Sequence, residues 1–406
     1  MADGIIIIGG GHAGSQAAAS LRQEGYQGPL TLVSSEPDLP YHRPPLSKAY
    51  LKNLEEETQV LRPEAFYATN GVRLLLAETV TAIDRAAGRV TLASGGALGF
   101  DGLVLAVGAR PRVPDVPGID LDGVFFLRTA ADGRALRARL HAAREVVVVG
   151  GGFIGLEIAA TARALGKAVT ILEAAPRLMG RAVAPLVSEH FLALHRGWGS
   201  DVRLGTALAA VVGEEARAVA VETAEGRRIP ADLVVVGVGV VPNTELAEAA
   251  GLEVGNGIAV DPFMATEDPR IVAAGDGVSF LHPMLGRHVR LESVQNAVDQ
   301  AKTAAATLVG RREAFDAVPW FWSDQADVKL QMVGLAIDAT RSVVRGRQES
   351  GAFSVFHYRG EVLVAVDSIN RAADHMVGRR MIGAGISPAP EVVADEATDL
   401  KKLVPR

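Results

Sequence analysis

The 406 residues carry 41 basic and 47 acidic side chains for a net charge of −6, with 49% hydrophobic and 22% charged residues. Those proportions describe an ordinary globular chain of about three domains, and the acidic balance argues against a general nucleic-acid binder. No apolar run reaches the roughly 18 residues of a membrane span, and the sequence contains no cysteine. Disulfides, thiolate-held iron–sulfur or zinc sites and redox-active thiols are thereby excluded.

In chain order, Ile5–Ile8 reads as a strand and is followed at once by Gly9-Gly10-Gly11-His12-Ala13-Gly14, a Gly-x-Gly-x-x-Gly turn opening a helix. In such a loop the first glycine makes the turn and the second lets a pyrophosphate reach the backbone. The third lets helix and strand pack closely, while the helix N-terminus supplies free N–H groups and positive charge. The next strand is expected to end in Glu36, an acid placed to accept hydrogen bonds from a ribose. A loop over residues 40–48 leads to a helix expected to start at a Ser47 cap, then to strands at 72–76, 78–84 and 89–93 and an apolar strand from Leu103. Proline and glycine between Pro111 and Gly118 mark a crossing point.

The same order then repeats. A helix over 130–143 precedes the strand Val146–Val149 and a second fingerprint, Gly150-Gly151-Gly152-Phe153-Ile154-Gly155, and the strand after it ends in Glu173. Residues 232–242 close this unit as 103–111 close the first, with an apolar run, glycine and proline, so the second unit reads as an insertion into the first. After Asn243 the chain returns: Arg270–Asp276 reads as a buried strand ending in Gly-Asp, and a helix begins within 291–301. From about Ala317 the pattern alternates as in β-strands, for example over 353–358 and 362–366, and the proline- and charge-rich tail from Ser387 reads as extended or partly ordered. The expected domains are 1–113 with 241–317, then 114–240, then 318–406.

Two fingerprints, each followed by an acid about 20 residues on, point to two dinucleotides, and a protein that holds two can pass a hydride between them. The nine histidines show no metal-ligand spacing, so no metal site is expected, and there is neither a Gly-x-Ser-x-Gly elbow nor a Walker loop. Redox chemistry therefore falls to bound organic cofactors. The start of the chain carries no basic, apolar, cleavable leader, which makes the cytoplasm the expected location.

The segments Arg43-Pro-Pro-Leu-Ser-Lys48, Leu127-Arg-Thr129, Gly150–Glu157, Ala274-Gly-Asp276, Glu292-Ser-Val294 and Pro319-Trp-Phe-Trp-Ser-Asp-Gln325 carry a resemblance. With them the chain resembles, over essentially its whole length, the oxygenase-coupled, NADH-dependent ferredoxin reductases. The resemblance implies an α/β, glutathione-reductase-like fold: two Rossmann-type domains, the NAD domain inserted in the FAD domain, plus a C-terminal α+β domain. It implies bound FAD, NADH as substrate, and a [2Fe–2S] ferredoxin acceptor that serves a P450 or a ring-hydroxylating dioxygenase. A monomer or weak homodimer, with no nucleic-acid or membrane partner, is expected. An NADH oxidase or diaphorase, a monodehydroascorbate reductase, and a redox-responsive binding protein resembling apoptosis-inducing factor are alternatives on the same scaffold. Oxidases of this scaffold usually rely on a cysteine, which is absent here.

Carried over residue by residue, the resemblance sets Gly9, Gly11, His12, Ala13 and Gly14 along the FAD pyrophosphate and Ser35 or Glu36 at the adenosine ribose. Val80 falls at the adenine and Arg128 at the phosphates. Arg43, Ala106, Gly108 and Gly275 join the FAD contacts, with Asp276 at a ribitol hydroxyl and Ser293 and Val294 by the flavin ring. For NADH it implies Gly150, Gly151, Gly152, Phe153, Ile154 and Gly155 at the pyrophosphate with Arg181 nearby. Glu173 is the acid that sets coenzyme choice, and Val238, Gly239 and Glu292 lie towards the nicotinamide. Lys48 is implied at the flavin's reactive edge, Glu157 by the nicotinamide, and Trp322 by the flavin on the ferredoxin side; an ion pair between Lys48 and Glu157 is expected to orient both. From the residues alone, Lys48 could equally be a solvated helix lysine, Glu157 an acid facing a helix dipole, and Trp320 with Trp322 part of a core. An acidic ferredoxin calls for a basic rim, for which Arg43, Arg290, Lys329, Arg379 and Arg380 are candidates.

Overall fold

A computed structural model describes residues 3–404. The chain divides into two compact units: one takes the chain up to Arg43 with Thr58–Arg110 and Val240–Ala317, the other takes Pro44–Glu57, Pro111–Gly239 and the chain from Val318.

The first unit is built on five parallel strands in the order Ile271–Ala273, Gly102–Leu105, Ile5–Ile8, Leu30–Val33, Val72–Leu75. Parallel sheets are covered on both faces, which is why their strands are unbroken apolar runs; Ile5–Ile8 and Gly102–Leu105 are buried at every position. The helix His12–Gln23 lies against the helix Val294–Leu308, two alanine-rich segments whose small side chains allow close approach. Ser293 caps the latter by accepting a hydrogen bond from the Asn296 N–H at 3.0 Å. A three-stranded antiparallel sheet over Val80–Asp84, Arg89–Leu92 and Ala97–Gly99 and a four-stranded sheet from Val254–Gly255 to Arg287–Val289 complete this unit.

The second unit repeats the plan. Its parallel strands run in the order Asp201–Leu204, Ala168–Glu173, Glu145–Val149, Leu233–Val236, Val124–Phe125. In both sheets the fingerprint strand is central, flanked by the strand that leads to the acid and by the closing strand. Two antiparallel sheets belong to the same unit. One, of Leu208–Glu214, Arg217–Thr223 and Arg228–Pro230, has no counterpart in the sequence reading. The other has five strands in the order Trp320–Gln325, Val328–Gly334, Val362–Ile369, Ala352–Arg359, Arg341–Arg347, with the helix Ala372–Gly383 packed on it through Val377 and Met381.

Two local expectations change. Residues 44–47 form a 3₁₀ turn and Lys48, not Ser47, precedes the short helix Ala49–Lys52. Pro44 and Pro45 have no N–H to give, which suits a tight turn closed from Lys48 N–H to the Pro45 carbonyl at 3.0 Å. The tail is ordered further than its composition suggests: Pro390–Ala394 is helical, Leu400–Leu403 is a 3₁₀ turn, and Val393, Leu400 and Val404 are buried. The cause is Arg345, a buried guanidinium that must find acceptors. It donates to the carbonyls of Val393, Asp395 and Thr398 at 3.0, 2.6 and 3.0 Å and so straps the tail down.

Candidate dinucleotide sites

The two fingerprint loops solve the same steric problem with the same atoms. Gly9 has φ +116°, and a Cβ there would fall 2.2 Å from the Ala106 carbonyl oxygen; Gly150 has φ +107°, and its Cβ would fall 2.3 Å from the Gly237 carbonyl oxygen. A Cβ on Gly14 would meet the Gly9 carbonyl at 1.9 Å, and one on Gly155 the Gly150 carbonyl at 2.3 Å. First and third glycines are thus required by the protein itself. Gly11 and Gly152 differ: a Cβ on either would meet nothing within 4 Å. Both sit at helix N-caps with φ −83° and no side-chain cap. Open space at the second glycine, before uncapped N–H groups, is the cradle a pyrophosphate fills. Each loop fits one dinucleotide.

The acids are not placed alike. Gly9 N–H bonds to Val33 and Gly150 N–H to Leu172, so the register counterpart of Glu173 is Ser34. Glu173 ends its strand and its carboxylate accepts from the N–H groups of Gly151 at 2.6 Å and Ala175 at 2.7 Å. Glu36 lies beyond the end of Leu30–Val33, so the expectation that both acids close their strands fails for this one. It is held by side chains instead: the Arg43 guanidinium and the Tyr41 hydroxyl, each at 2.5 Å. Burial works against the charge on Arg43, but Tyr41, Glu36 and Asp276 together push its pKa above the ordinary arginine value. Ser35 is exposed.

Elsewhere in the first unit, His12 and Ala13 open the fingerprint helix, and a Cβ on Gly275 (φ +95°) would fall 3.2 Å from the Cβ of Ala13. The Gly275 N–H is held by Gln300 Oε1 at 2.8 Å, a contact with no sequence signal. Ala106 and Val80 are buried, and Gly108 has φ +65° and accepts from Asn243 N–H. Val294 begins a helix behind its Ser293 cap, while Glu292 pairs with Arg290 at 2.7 Å. Arg290 also donates to the Asp276 carbonyl at 3.1 Å and its side chain is only 10% exposed, so it is no free rim cation; Arg43 is likewise committed. Lys329, Arg379 and Arg380 are exposed.

The second unit holds the fingerprint Gly150–Gly155, Glu173, Arg181, Val238 and Gly239, together with Lys48, Arg128 and Trp322. Arg181 is exposed and its guanidinium lies 3.4 Å from where a Gly239 Cβ would stand. Arg128 precedes the capping box Thr129–Asp132, to which its N–H contributes at 3.1 Å. Lys48 Nζ meets Glu157 Oε2 at 2.7 Å, so the two expected partners form an ion pair. Glu157 is 5% exposed, and its oxygens also accept from the hydroxyls of Ser47 at 2.5 Å and Ser323 at 2.7 Å. A buried carboxylate requires such donors.

Ser323 was not read from the sequence, although strand alternation could have found it. Along Trp320–Gln325 one face carries Trp320 and Trp322, whose ring centroids lie 5.4 Å apart. The other carries Phe321, 4.7 Å from the Phe153 ring, and then Ser323 and Gln325.

Residues 3–301 match the pyridine nucleotide-disulphide oxidoreductase family, and residues 320–404 match the reductase C-terminal family. Rhodocoxin reductase of Rhodococcus erythropolis is 46% identical over 99% of this chain and 94% of its own length. The crystal structure of the ferredoxin reductase for the CYP199A2 system of Rhodopseudomonas palustris superposes with TM-score 0.97 at 46% identity, covering 99% of this chain and 100% of that one. The covalent putidaredoxin reductase–putidaredoxin complex gives TM-score 0.95 at 41% identity, covering 99% and 98%. The glutathione-reductase-like architecture is therefore as expected, though a cysteine-free chain cannot run the disulphide chemistry in the family's name. No helix among the described residues is long and apolar enough to cross a membrane. With two intact dinucleotide cradles and these relatives, the chain belongs to the pyridine nucleotide-disulphide oxidoreductase family as an FAD- and NADH-dependent oxidoreductase of the ferredoxin-reductase type.

Proposed function

We propose that this enzyme passes electrons from NADH through FAD to a [2Fe–2S] ferredoxin, which in turn serves a P450 or a ring-hydroxylating dioxygenase in the cytoplasm. The observation that carries the reading is the pair of cradles, each with an open second glycine, in a chain whose relatives are reductases named for their iron–sulfur or P450 partners. FAD, when bound, supplies the exchange of a two-electron hydride for single electrons, which no side chain can perform.

The protein's tasks are to hold and orient. Residues 1–113 with 241–317 hold FAD, with Gly11 and the helix N–H groups on its pyrophosphate, Glu36 at the ribose and Asp276 along the ribitol. Residues 114–240 hold NADH, with Gly152 and Arg181 at the pyrophosphate and Glu173 accepting both ribose hydroxyls. Residues 318–406 bring Trp322 and the exposed cations Lys329, Arg379 and Arg380 to the ferredoxin side. Lys48, fixed by Glu157, would set a positive charge beside the flavin when it is bound. No general base is needed, because a hydride moves without a separate proton transfer.

NADH-driven cytochrome c reduction by the purified flavoprotein, with and without a [2Fe–2S] ferredoxin, tests this. Saturable stimulation by ferredoxin is the expected result. Rapid NADH loss to oxygen or quinone with no stimulation by several ferredoxins would make the protein an oxidase-type diaphorase instead.

A further inference from the structure

Behind the Lys48–Glu157 pair, one hydrogen-bonded line runs inwards through three buried side chains, all in the second unit. Ser323 Oγ donates to Glu157 Oε1 at 2.7 Å, Gln325 Nε2 lies 3.3 Å from Ser323 Oγ, and Gln325 Oε1 lies 2.9 Å from His195 Nε2. Ser323, Gln325 and His195 are each 0% exposed.

The direction of every bond follows from one charge. Glu157, paired with Lys48, is a carboxylate and can only accept. Ser323 has a single proton, and it goes to Glu157. Ser323 must then accept, so Gln325 turns its NH₂ to Ser323 and its carbonyl to His195. His195 must therefore donate from Nε2. Its Nδ1 is buried with no hydrogen-bond partner, which a proton there could not tolerate, so the ring is the neutral Nε2–H tautomer. Burial also holds the His195 pKa below its ordinary value, with the Gln325 bond pulling weakly the other way.

We propose that Ser323, Gln325 and His195 are positioning residues: a one-way hydrogen-bond relay that locks the Glu157 carboxylate in the orientation that receives Lys48. The relay rests on the reading that Lys48 assists electron transfer from NADH. Its logic is preorganisation: a residue with three rotatable bonds is fixed by a group that is itself fixed, so none of the ordering has to be repeated at each turnover. The far end is anchored on the helix Pro185–Gly197, where His195 meets the Trp198 ring edge-on at 5.0 Å.

The test has two arms. In stopped-flow reduction of the holoenzyme by NADH, Ser323→Ala should lower the limiting rate roughly tenfold, as expected for losing a hydrogen bond to a charged group, and Gln325→Met roughly threefold, as expected for losing a neutral one. The NADH dissociation constant should stay within about twofold, and Ser323→Thr should restore the rate. Combined with Lys48→Ala, Ser323→Ala should cost little more, because both act through one pair. Wild-type rates in Ser323→Ala and Gln325→Met, or additive losses with Lys48→Ala, would overturn the relay.

The second arm needs no turnover. In ¹⁵N-histidine NMR of the holoenzyme, with His195 assigned by its loss in His195→Gln, the ring should be neutral and protonated at Nε2, and Gln325→Met should redistribute the tautomers. A Nδ1–H ring or an imidazolium in the wild type refutes the relay. A wild-type flavoprotein that NADH does not reduce would refute the functional reading instead, and the relay would be decided by the NMR arm alone.

Discussion

Replacing Gly152 by alanine separates a glycine kept for the ligand from one kept for the fold. At φ −83° an alanine is unstrained, and its Cβ meets nothing within 4 Å. Fewer unfolded conformations should stabilise the variant by about 0.4–1 kcal/mol, while alanine is a poorer N-cap than glycine by a comparable amount. The two offset, so the melting temperature should move by no more than about 2–4 °C. The methyl group occupies the space that a phosphate oxygen needs to reach the backbone N–H. Losing a hydrogen bond to a charged group costs about 1.5–3 kcal/mol, which is roughly 10- to 150-fold in NADH affinity. Stopped-flow flavin reduction across a range of NADH concentrations reads that number, and thermal unfolding reads the other. Gly155→Ala is the contrast: its Cβ would fall 2.3 Å from the Gly150 carbonyl oxygen and 3.2 Å from Val148 Cγ1, so it should lose stability. A Gly152→Ala protein with unchanged NADH affinity but a large loss of stability would refute the assignment of the second glycine to the ligand.

Glu173 should favour NADH over NADPH by roughly tenfold or more in kcat/KM, about 1.4 kcal/mol, because its carboxylate repels a 2′-phosphate. Glu173→Ser should collapse that preference, and equal use of the two coenzymes by the wild type would refute it. Stability should also fall with acid in a specific window. Burial lowers the pKa of His190, His195, His282 and His375 in the folded protein. Above the unfolded value of about 6.5 both states are neutral. As the pH drops below it the unfolded chain binds protons that the folded one refuses, so stability is lost as pH falls towards the lower folded values. His190 lies among the rings of Phe191 and Phe353, so His190→Phe should make the decline in denaturation midpoint below about pH 6.5 shallower; an unchanged slope would remove His190 as a contributor.

Backbone requirements were written in the sequence and side-chain consequences were not. Strand, glycine loop and helix are local events, set by β-branched runs such as Val146–Val149 and by glycines with no steric alternative, so both cradles could be read off directly. Lys48 and Glu157 were paired in the reading only because the segments around them resemble known reductases; 109 residues separate them and nothing local links them. Alternation along Trp320–Gln325 puts Ser323 and Gln325 on one face, but nothing local names Glu157 or His195 as their partners, 166 and 130 residues away. The extra order of the tail has a related cause: composition near Pro390 describes the tail alone, whereas Arg345, on a strand about 50 residues earlier, ties it down.

The repeat also shows where duplication stops constraining a site. Both loops keep the carbonyl contacts that forbid a side chain at the first and third glycines: the third meets the first glycine's own carbonyl within the strand–helix unit, and the first meets the carbonyl just past the closing strand, that of Ala106 or Gly237. The acids are under no such constraint, since a carboxylate needs only to be held near the ribose. In the second unit backbone N–H groups of Gly151 and Ala175 hold Glu173, an arrangement that any sequence with the same turn can supply. In the first, Glu36 stands two residues past the register position occupied by Ser34 and is steadied by Tyr41 and Arg43. Counting about 20 residues from a fingerprint therefore finds both acids while concealing that only one is positioned by the fold; the other depends on a neighbouring loop, and substitutions in that loop at Tyr41 or Arg43 should release the Glu36 carboxylate.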